Sequence, residues 1–418
     1  MIILKEWIVL GSKQLSGSIS VSGAKNSLLA ILAGSIVTKS IVILENVTPL
    51  KDTYDMIGIL KILNVRVIYD NKSKMIIDAR NIKNIKLDSE EIKRIRASYY
   101  FMGALLSLFK DVSVIGPGGC NFASRPIDLH LFAFEKLGCK CVLKDDLYSF
   151  NKGKIKSRII NFKKVSVGAT VNAILLSSRI NGSVRLVNVA MEPEIDDLIN
   201  FLNMCGASIK RDGNSIIIKG RKLHGCSYRI MDDRIEASTY LVLGACLGNN
   251  LKIMYKDSKY IMELINVLKD MNVTINVYDE YILVSKSSGF KSNKLIFDTY
   301  PKLATDIQQP LSIFMSLAKE YSILKDNIYP SRYTQIEDLK SMGFDMYVNN
   351  DCLYVRNNNN LKGGNVICKD LRGGVSLVIA ALLINKQTRI SNVYYIERGY
   401  YNLIDKLRGI GANIYEEN

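Results

Sequence analysis

The sequence predicts an α/β fold of two domains, assembled from six copies of one strand-and-helix unit, three copies to a domain. Three observations carry this prediction. An amphipathic helix pattern runs into a Gly or Asn and then into a short strand pattern six times, at Leu63-Asn64-Val65, Leu137-Gly138-Cys139, Cys205-Gly206-Ala207, Met271-Asn272-Val273, Met342-Gly343-Phe344 and Ile410-Gly411-Ala412. Successive central residues are 74, 68, 66, 71 and 68 positions apart, longer than the roughly 20–50 residues of common solenoid repeats. The chain has 418 residues, 48% of them apolar, enough for more than one buried core. Six units divide into two groups of three, with a seam near residues 220–233. Only seven prolines are present and no Pro/Ser-rich tether marks the seam, so two domains in direct apposition are expected, with a ligand cleft between them.

In the first unit Ile19-Ser20-Val21 reads as a strand, and Ser22-Gly23-Ala24-Lys25-Asn26-Ser27 as the turn that opens an apolar helix from Leu28. A lysine at such a turn is placed to meet an anion, or it is a solvated helix-start residue. The GxxxxGK[ST] spacing of a P-loop is missing. A hairpin is expected over residues 65–79. The second unit holds the sharpest segment, Gly116-Pro117-Gly118-Gly119-Cys120-Asn121-Phe122-Ala123-Ser124-Arg125-Pro126-Ile127-Asp128-Leu129-His130. Three glycines within four residues expose backbone N–H groups. Arg125 lies five residues beyond Cys120, and a nearby cation makes a thiol more reactive. A structural turn with an incidental cysteine is the other reading. Pro126 suits the first turn of a helix that buries Ile127, Leu131 and Phe134.

The third unit opens on Lys164-Val165-Ser166-Val167-Gly168-Ala169-Thr170, a small-residue turn able to bind phosphate. Ile195, Leu198, Ile199 and Leu202 then follow i, i+3, i+4, i+7, one apolar helix face. Gly206 suits a left-handed helix end, and Asp212-Gly213-Asn214 joins two strands as a hairpin. The same helix-then-hairpin order recurs over residues 273–284 and 344–355. Thr305-Asp306 in the fifth unit offers either a general base or an ordinary helix cap. In the sixth, the apolar run over residues 375–384 reads as a buried helix. Asp370-Leu371-Arg372-Gly373-Gly374 and Glu397-Arg398-Gly399-Tyr400 put arginines beside carboxylates and glycines, as anion sites or as structural salt bridges.

Composition narrows the chemistry. Lys plus Arg is 56 against 40 for Asp plus Glu, a net charge of +16. That favours anionic partners, although biased base composition would give the same excess. Nucleic-acid modules find no support: there is one Trp and no concentrated basic tail. No run reaches the roughly 18 apolar residues of a spanning helix, so no membrane partner is expected. The eight cysteines include no CxxC pair and there are two histidines, which argues for reduced thiols in a cytoplasm and against a metal site. His130 reads as a packed polar residue.

At these residues the chain resembles the enolpyruvyl transferases, nearly end to end, from Ser22-Gly23-Ala24-Lys25-Asn26 to Arg398-Gly399-Tyr400 and Asp405-Lys406-Leu407-Arg408. The segment from Pro117 through Cys120 and Arg125 to His130 is the most specific part. The resemblance implies a two-domain inside-out α/β barrel of six βαβαββ-like units. One domain would span 25–231 and a discontinuous second 1–24 plus 232–418, with the active site in the inter-domain cleft. It implies a bacterial, cytoplasmic enzyme, expected as a monomer, that needs no cofactor. Its reaction would move the enolpyruvyl group of phosphoenolpyruvate to the 3′-hydroxyl of UDP-N-acetylglucosamine, with phosphate released, the first committed step of peptidoglycan synthesis.

Roles follow from the same resemblance. Lys25, Arg125 and Arg398 match the cluster that grips phosphoenolpyruvate. Asn26, Arg96, Arg125, Pro126, Ile127, Asp128, Leu129, Lys164, Val165, Ser166, Val167, Asp306 and Ile328 match contacts to the nucleotide sugar. Cys120 matches the proton donor, the thiol that fosfomycin alkylates in such enzymes, and Asp306 the base near the sugar hydroxyl. Arg372, with Asp370, Asp233, Arg234 and Arg332, matches further polar cleft positions. Some residues depart from the family pattern: Glu397 replaces an expected Asp, Pro330-Ser331 an expected Glu-Asn, and Gly373-Gly374 is expected to loosen the arginine loop. Two other functions stay open from sequence: a transferase of the same fold with another acceptor, such as shikimate 3-phosphate, and a basic nucleic-acid binder without catalysis.

Overall fold

The computed structural model describes residues 5–12, 14–116, 118, 126–155, 157–286 and 289–417. It divides into two compact units, Gly23–Met231 and Met1–Ser22 with Asp232–Asn418. The chain therefore passes from one to the other after Ser22 and again after Met231.

The six helix-to-strand junctions are the local devices that build both units. Their central residues all take positive φ: Asn64 at 62°, Gly138 at 90°, Gly206 at 91°, Asn272 at 74°, Gly343 at 91° and Gly411 at 96°. A left-handed residue there lets the next N–H turn back to the helix end. At the first junction Val65 N–H reaches the Leu60 carbonyl at 3.0 Å, and Asn64 N–H reaches Lys61 at 3.0 Å. The same pair of bonds recurs at Gly206-Ala207, Asn272-Val273, Gly343-Phe344 and Gly411-Ala412. Gly tolerates this conformation at least cost and Asn is among the few others that adopt it readily, which is why the repeat shows in the sequence as those two residues.

Each junction feeds a hairpin, and each hairpin belongs to a sheet of one topology. In Gly23–Met231, strand Ile41–Glu45 pairs parallel with Ser227–Arg229 and antiparallel with Met75–Asp78, which pairs antiparallel with Arg66–Tyr69. Strands Ile159–Asn161, Ser183–Val187, Ser215–Lys219 and Ser208–Asp212 repeat that order. The third sheet, Asp111–Ile115 with Leu147–Lys152 and Cys139–Lys144, has three strands. Its parallel fourth position is reduced to a single bridge from Leu87 to Val114.

The other unit repeats the pattern in three four-stranded sheets. In one of them Glu6–Leu10 pairs antiparallel with both Asn413–Glu417 and Thr388–Ser391. The N-terminal strand thus completes the hairpin of the last repeat. The two-domain α/β class expected from the period is borne out by six sheets of shared topology.

The sheets enclose helices. Lys25–Ser35, Tyr100–Leu108 and Val167–Ser177 lie at the centre of one unit and are buried along almost their whole length. Arg234–Leu247, Gln308–Met315 and Leu371–Leu383 do the same in the other. The last is the apolar run expected to form a core helix. Each unit has its own continuous apolar core. Among the described residues no helix is long and apolar enough to cross a membrane.

Candidate active site

The six central helices begin at the residues that the sequence singles out. A helix N-terminus presents unpaired N–H groups and a partial positive charge. In Gly23–Met231, Lys25 is the first residue of Lys25–Ser35. Its ammonium lies 2.6 Å from the buried Asp52 carboxylate, and Asn26 beside it is exposed. Ser27 on the same first turn donates its hydroxyl to Asp197 of helix Pro193–Met204. Asp197 also accepts from the Tyr228 hydroxyl at 2.6 Å. The helix start that carries Lys25 is thereby tied to the strand through which the chain leaves the unit.

Arg96 opens the short 3-10 turn Arg96–Tyr99 that precedes Tyr100–Leu108. Its guanidinium carbon sits 5.6 Å from the Tyr99 ring centre, and Tyr99 meets His130 edge-on at 4.8 Å. Lys164 is exposed and Val165 to Val167 are half-buried. Ser166 caps Val167–Ser177 by accepting from Ala169 N–H at 3.3 Å. A methyl group on Gly168 would come within 2.7 Å of the Tyr99 hydroxyl and 2.8 Å of His130. Arg96, the 126–130 segment and the 164–167 segment are therefore neighbours, joined through Tyr99 and His130. Pro126 is exposed, Ile127 buried, Asp128 exposed and Leu129 half-buried, and the helix starts at Asp128, two residues beyond the proline. Cys120 and Arg125 lie outside the described residues.

His130 is the packed polar residue expected. Gly103 N–H donates to Asn172 Oδ1 at 2.8 Å, which leaves the Asn172 amide to donate to His130 Nδ1 at 2.9 Å. Burial, helped by the positive Arg96, pulls the imidazole down to about 3, so it is neutral in the folded protein. A free imidazole titrates near 6.5. Between these values the unfolded chain binds the extra proton, so stability falls as pH falls from about 6.5 toward 3. The slope from this one group approaches about 1.4 kcal/mol per pH unit. Urea unfolding at pH 7, 6 and 5 should show it, and His130→Asn should remove that component of the pH dependence.

In the other unit a polar chain links the three central helices. Asp306 lies in the 3-10 turn Thr305–Ile307 ahead of Gln308–Met315. It caps no helix. Its Oδ1 accepts from Arg332 at 2.8 Å and its Oδ2 from Arg372 at 3.3 Å. Arg372 is buried, and its other terminal nitrogen donates to the Tyr400 hydroxyl at 3.0 Å. Tyr400 lies 2.8 Å from Thr239 of Arg234–Leu247. Thr239 already donates to the Ile235 carbonyl, so the proton between them is that of Tyr400.

Asp370 accepts from the N–H groups of Arg372 at 2.9 Å and Gly373 at 3.0 Å, and Asp233 caps Arg234–Leu247 in the same way. Arg234 stacks 5.3 Å from the Tyr300 ring centre. Arg398 is half-buried at the end of Tyr394–Glu397. The next residue packs so closely that a Cβ on Gly399 would meet Leu371 at 2.6 Å, which sets Arg398 beside the start of Leu371–Leu383.

Two outcomes went beyond the sequence reading. Gly373 and Gly374 were expected to loosen a loop, but they are buried in the first turn of Leu371–Leu383, where the Asp370 cap has already ordered the chain. Asp326 was missed. It is buried, accepts from Thr305 and takes the N–H groups of Ile328 at 2.8 Å and Tyr329 at 3.0 Å. Burial pushes its carboxyl up. The only signal was an Asp at the end of a strand, two residues ahead of Ile328, the spacing of a side-chain-capped turn.

A family model described as EPSP synthase (3-phosphoshikimate 1-carboxyvinyltransferase) matches residues 9–407. The chain belongs to the EPSP synthase family. Curated relatives that resemble it over nearly its whole length carry another name. It is 38% identical to UDP-N-acetylglucosamine 1-carboxyvinyltransferase 2 of Listeria monocytogenes serotype 4b, over 97% of this chain and 96% of the relative. It is 36% identical to UDP-N-acetylglucosamine 1-carboxyvinyltransferase 3 of Caldanaerobacter subterraneus, over 98% of this chain and 99% of the relative. Among solved structures, the enolpyruvyl transferase NikO from Streptomyces tendae superposes with a TM-score of 0.89 at 20% identity, covering 99% of both chains. An EPSP synthase from Acinetobacter baumannii gives 0.75 at 15% identity, covering 99% of this chain and all of the other. Both structures share the fold of this EPSP synthase family member.

Proposed function

We propose that the protein transfers the enolpyruvyl group of phosphoenolpyruvate to the 3′-hydroxyl of UDP-N-acetylglucosamine and releases phosphate. The observation that carries this reading is the identity of 36–38% with relatives named for that acceptor, over 97–98% of the chain. The EPSP synthase from Acinetobacter baumannii, by contrast, shares only 15%.

The reaction needs cations for a small, highly charged donor, an acid for its methylene carbon and a base for the sugar hydroxyl. Lys25, Arg125 and Arg398 are proposed to take the phosphate and carboxylate of phosphoenolpyruvate, with the N-terminus of Lys25–Ser35 adding its partial charge. Cys120 is proposed to protonate the methylene carbon, which leaves positive charge on the adjacent carbon. The 3′-hydroxyl oxygen bonds there as Asp306 removes its proton. Loss of a proton from the new methyl group and departure of phosphate then restore the double bond. Arg96 with the 126–129 and 164–167 segments is proposed to hold the nucleotide sugar. The neighbourhood of Arg96, Tyr99, His130 and Gly168 supports that assignment.

A phosphate-release assay tests the function. Phosphate should appear from phosphoenolpyruvate only when UDP-N-acetylglucosamine is present, and shikimate 3-phosphate should not replace it. Equal release with shikimate 3-phosphate would overturn the acceptor. A salt-dependent shift with DNA and no release with either acceptor would favour the nucleic-acid reading.

A further inference from the structure

We infer that Cys205 and Cys226 form a reversible dithiol–disulfide pair, in which Cys226 exchanges first with a small-molecule disulfide and Cys205 closes the bond. The two sulfur atoms lie 3.0 Å apart, inside the separation of unbonded sulfurs, although 20 residues separate them in the chain. The backbone on both sides is fixed. Cys205 follows helix Pro193–Met204 and donates its N–H to the Phe201 carbonyl at 3.1 Å. Its own carbonyl accepts from His224 N–H at 2.9 Å, which sets the chain two residues before Cys226. The Cys226 carbonyl accepts from Ile43 N–H at 2.9 Å. The pairing is thus imposed by a helix end and a sheet edge rather than by two free side chains.

The two thiols differ in a way that orders the steps. Cys205 is fully buried, whereas Cys226 is only partly buried and is the more accessible of the two. Once the more accessible Cys226 is ionised, the Cys205 S–H can donate to its sulfur, which shifts the Cys226 thiol down, and the same bond together with burial shifts Cys205 up. Burial pushes Cys139 up to about 11 and Cys368 up to about 12. Exchange requires a thiolate, and Cys226 is the better placed to supply one.

The electron count closes. The Cys226 thiolate attacks one sulfur of a disulfide R–S–S–R, forms Cys226–S–S–R and releases one thiolate. Cys205 then loses its proton and attacks the Cys226 sulfur, which displaces the second thiolate. The protein gives up two electrons and two protons, and the small disulfide becomes two thiols. The new bond would join Pro193–Met204 a second time to the strand segment it already holds through Asp197 and Tyr228. Asp197 also seats the helix that begins at Lys25.

The test uses the full-length protein equilibrated in mixtures of reduced and oxidised glutathione, quenched by alkylation and mapped by peptide mass. The expected product is a linked pair of peptides, one with Cys205 and one with Cys226, lighter by two hydrogens than the free pair. Its oxidised-to-reduced ratio should follow the oxidised glutathione concentration over the square of the reduced. Halving reduced glutathione at constant oxidised glutathione should therefore raise the ratio about fourfold. A twofold rise, the law for separate mixed disulfides, would overturn the pair, as would alkylation of both thiols at every ratio. Cys205→Ser should stop with one glutathione on Cys226, and Cys226→Ser should leave Cys205 reduced. The reverse pattern would overturn the order of attack. Should either variant fail to fold, the concentration law of the wild-type protein decides alone.

Discussion

Replacing Asp306 with Asn should lower kcat for enolpyruvyl transfer by a factor of about 10²–10⁴, the range expected when a positioned general base is removed. The variant keeps the shape of the side chain and one acceptor oxygen, so its KM values should move much less than kcat. The structure also shows what the base must give up. Both oxygens of Asp306 already accept from guanidinium groups, Arg332 at 2.8 Å and Arg372 at 3.3 Å. A sugar hydroxyl can donate to Asp306 only by sharing or displacing one of these contacts, and the longer Arg372 contact is the weaker. Steady-state phosphate release with both substrates measures the effect. An Asp306→Asn enzyme with wild-type kcat would remove Asp306 from the chemistry and reduce it to an ion-pair partner. Loss of one negative charge between two arginines should also cost about 1–3 kcal/mol of stability, which a denaturant midpoint would show separately from kcat.

How much of this was legible in the sequence depends on where the determining physics is local. The six junctions were legible because a left-handed helix end restricts the residue itself: Asn64, Gly138, Gly206, Asn272, Gly343 and Gly411 all have positive φ. One central helix start was legible, that of Lys25; Ser166, Asp233 and Asp370 also stand at helix starts, but the sequence marked them only as polar positions. Asp306 was legible as a carboxylate in a turn but not in its partners. Arg332 and Arg372 reach it from 26 and 66 residues away, and no local pattern encodes such distances. Asp326 shows the limit in another form. Its capping of Ile328 and Tyr329 is local, but its contact with Thr305 joins two strand-to-helix connections. The contribution of Glu6–Leu10 to the last sheet was implied only by family resemblance, because its pairing partner lies at the opposite end of the chain.

The fold explains why these distant groups meet. Three repeats in one unit each bring a polar side chain on, or just ahead of, a central helix. Thr239 from the first, Asp306 from the second and Arg372 from the third then share one chain of hydrogen bonds through Tyr400. Its direction is fixed by the donors. Arg372 can only donate, so Tyr400 accepts from it and passes its own proton to Thr239, which donates to Ile235. Burial pushes the Tyr400 phenol up despite the arginine beside it, so it stays protonated and keeps that order.

Arg372→Lys should therefore be far from conservative. The guanidinium spans two acceptors with two different nitrogens, Tyr400 at 3.0 Å and Asp306 at 3.3 Å. An ammonium is a single point on a shorter reach and cannot hold both with the same planar geometry. The expected loss is about 1.5–3 kcal/mol, that of a hydrogen bond to a charged group. A drop in kcat should accompany it, because Asp306 is then aligned by Arg332 alone among these two. Tyr400→Phe removes the relay at its next link and leaves Asp306 with both arginines, so its effect on kcat should be smaller. If the relay acts as one unit, the double variant should be less destabilised than the sum of the singles, with a coupling of about 0.5–3 kcal/mol. Additive losses in unfolding free energy would mean that Tyr400 and Arg372 stabilise the unit independently, and that Asp306 is not positioned from the first central helix.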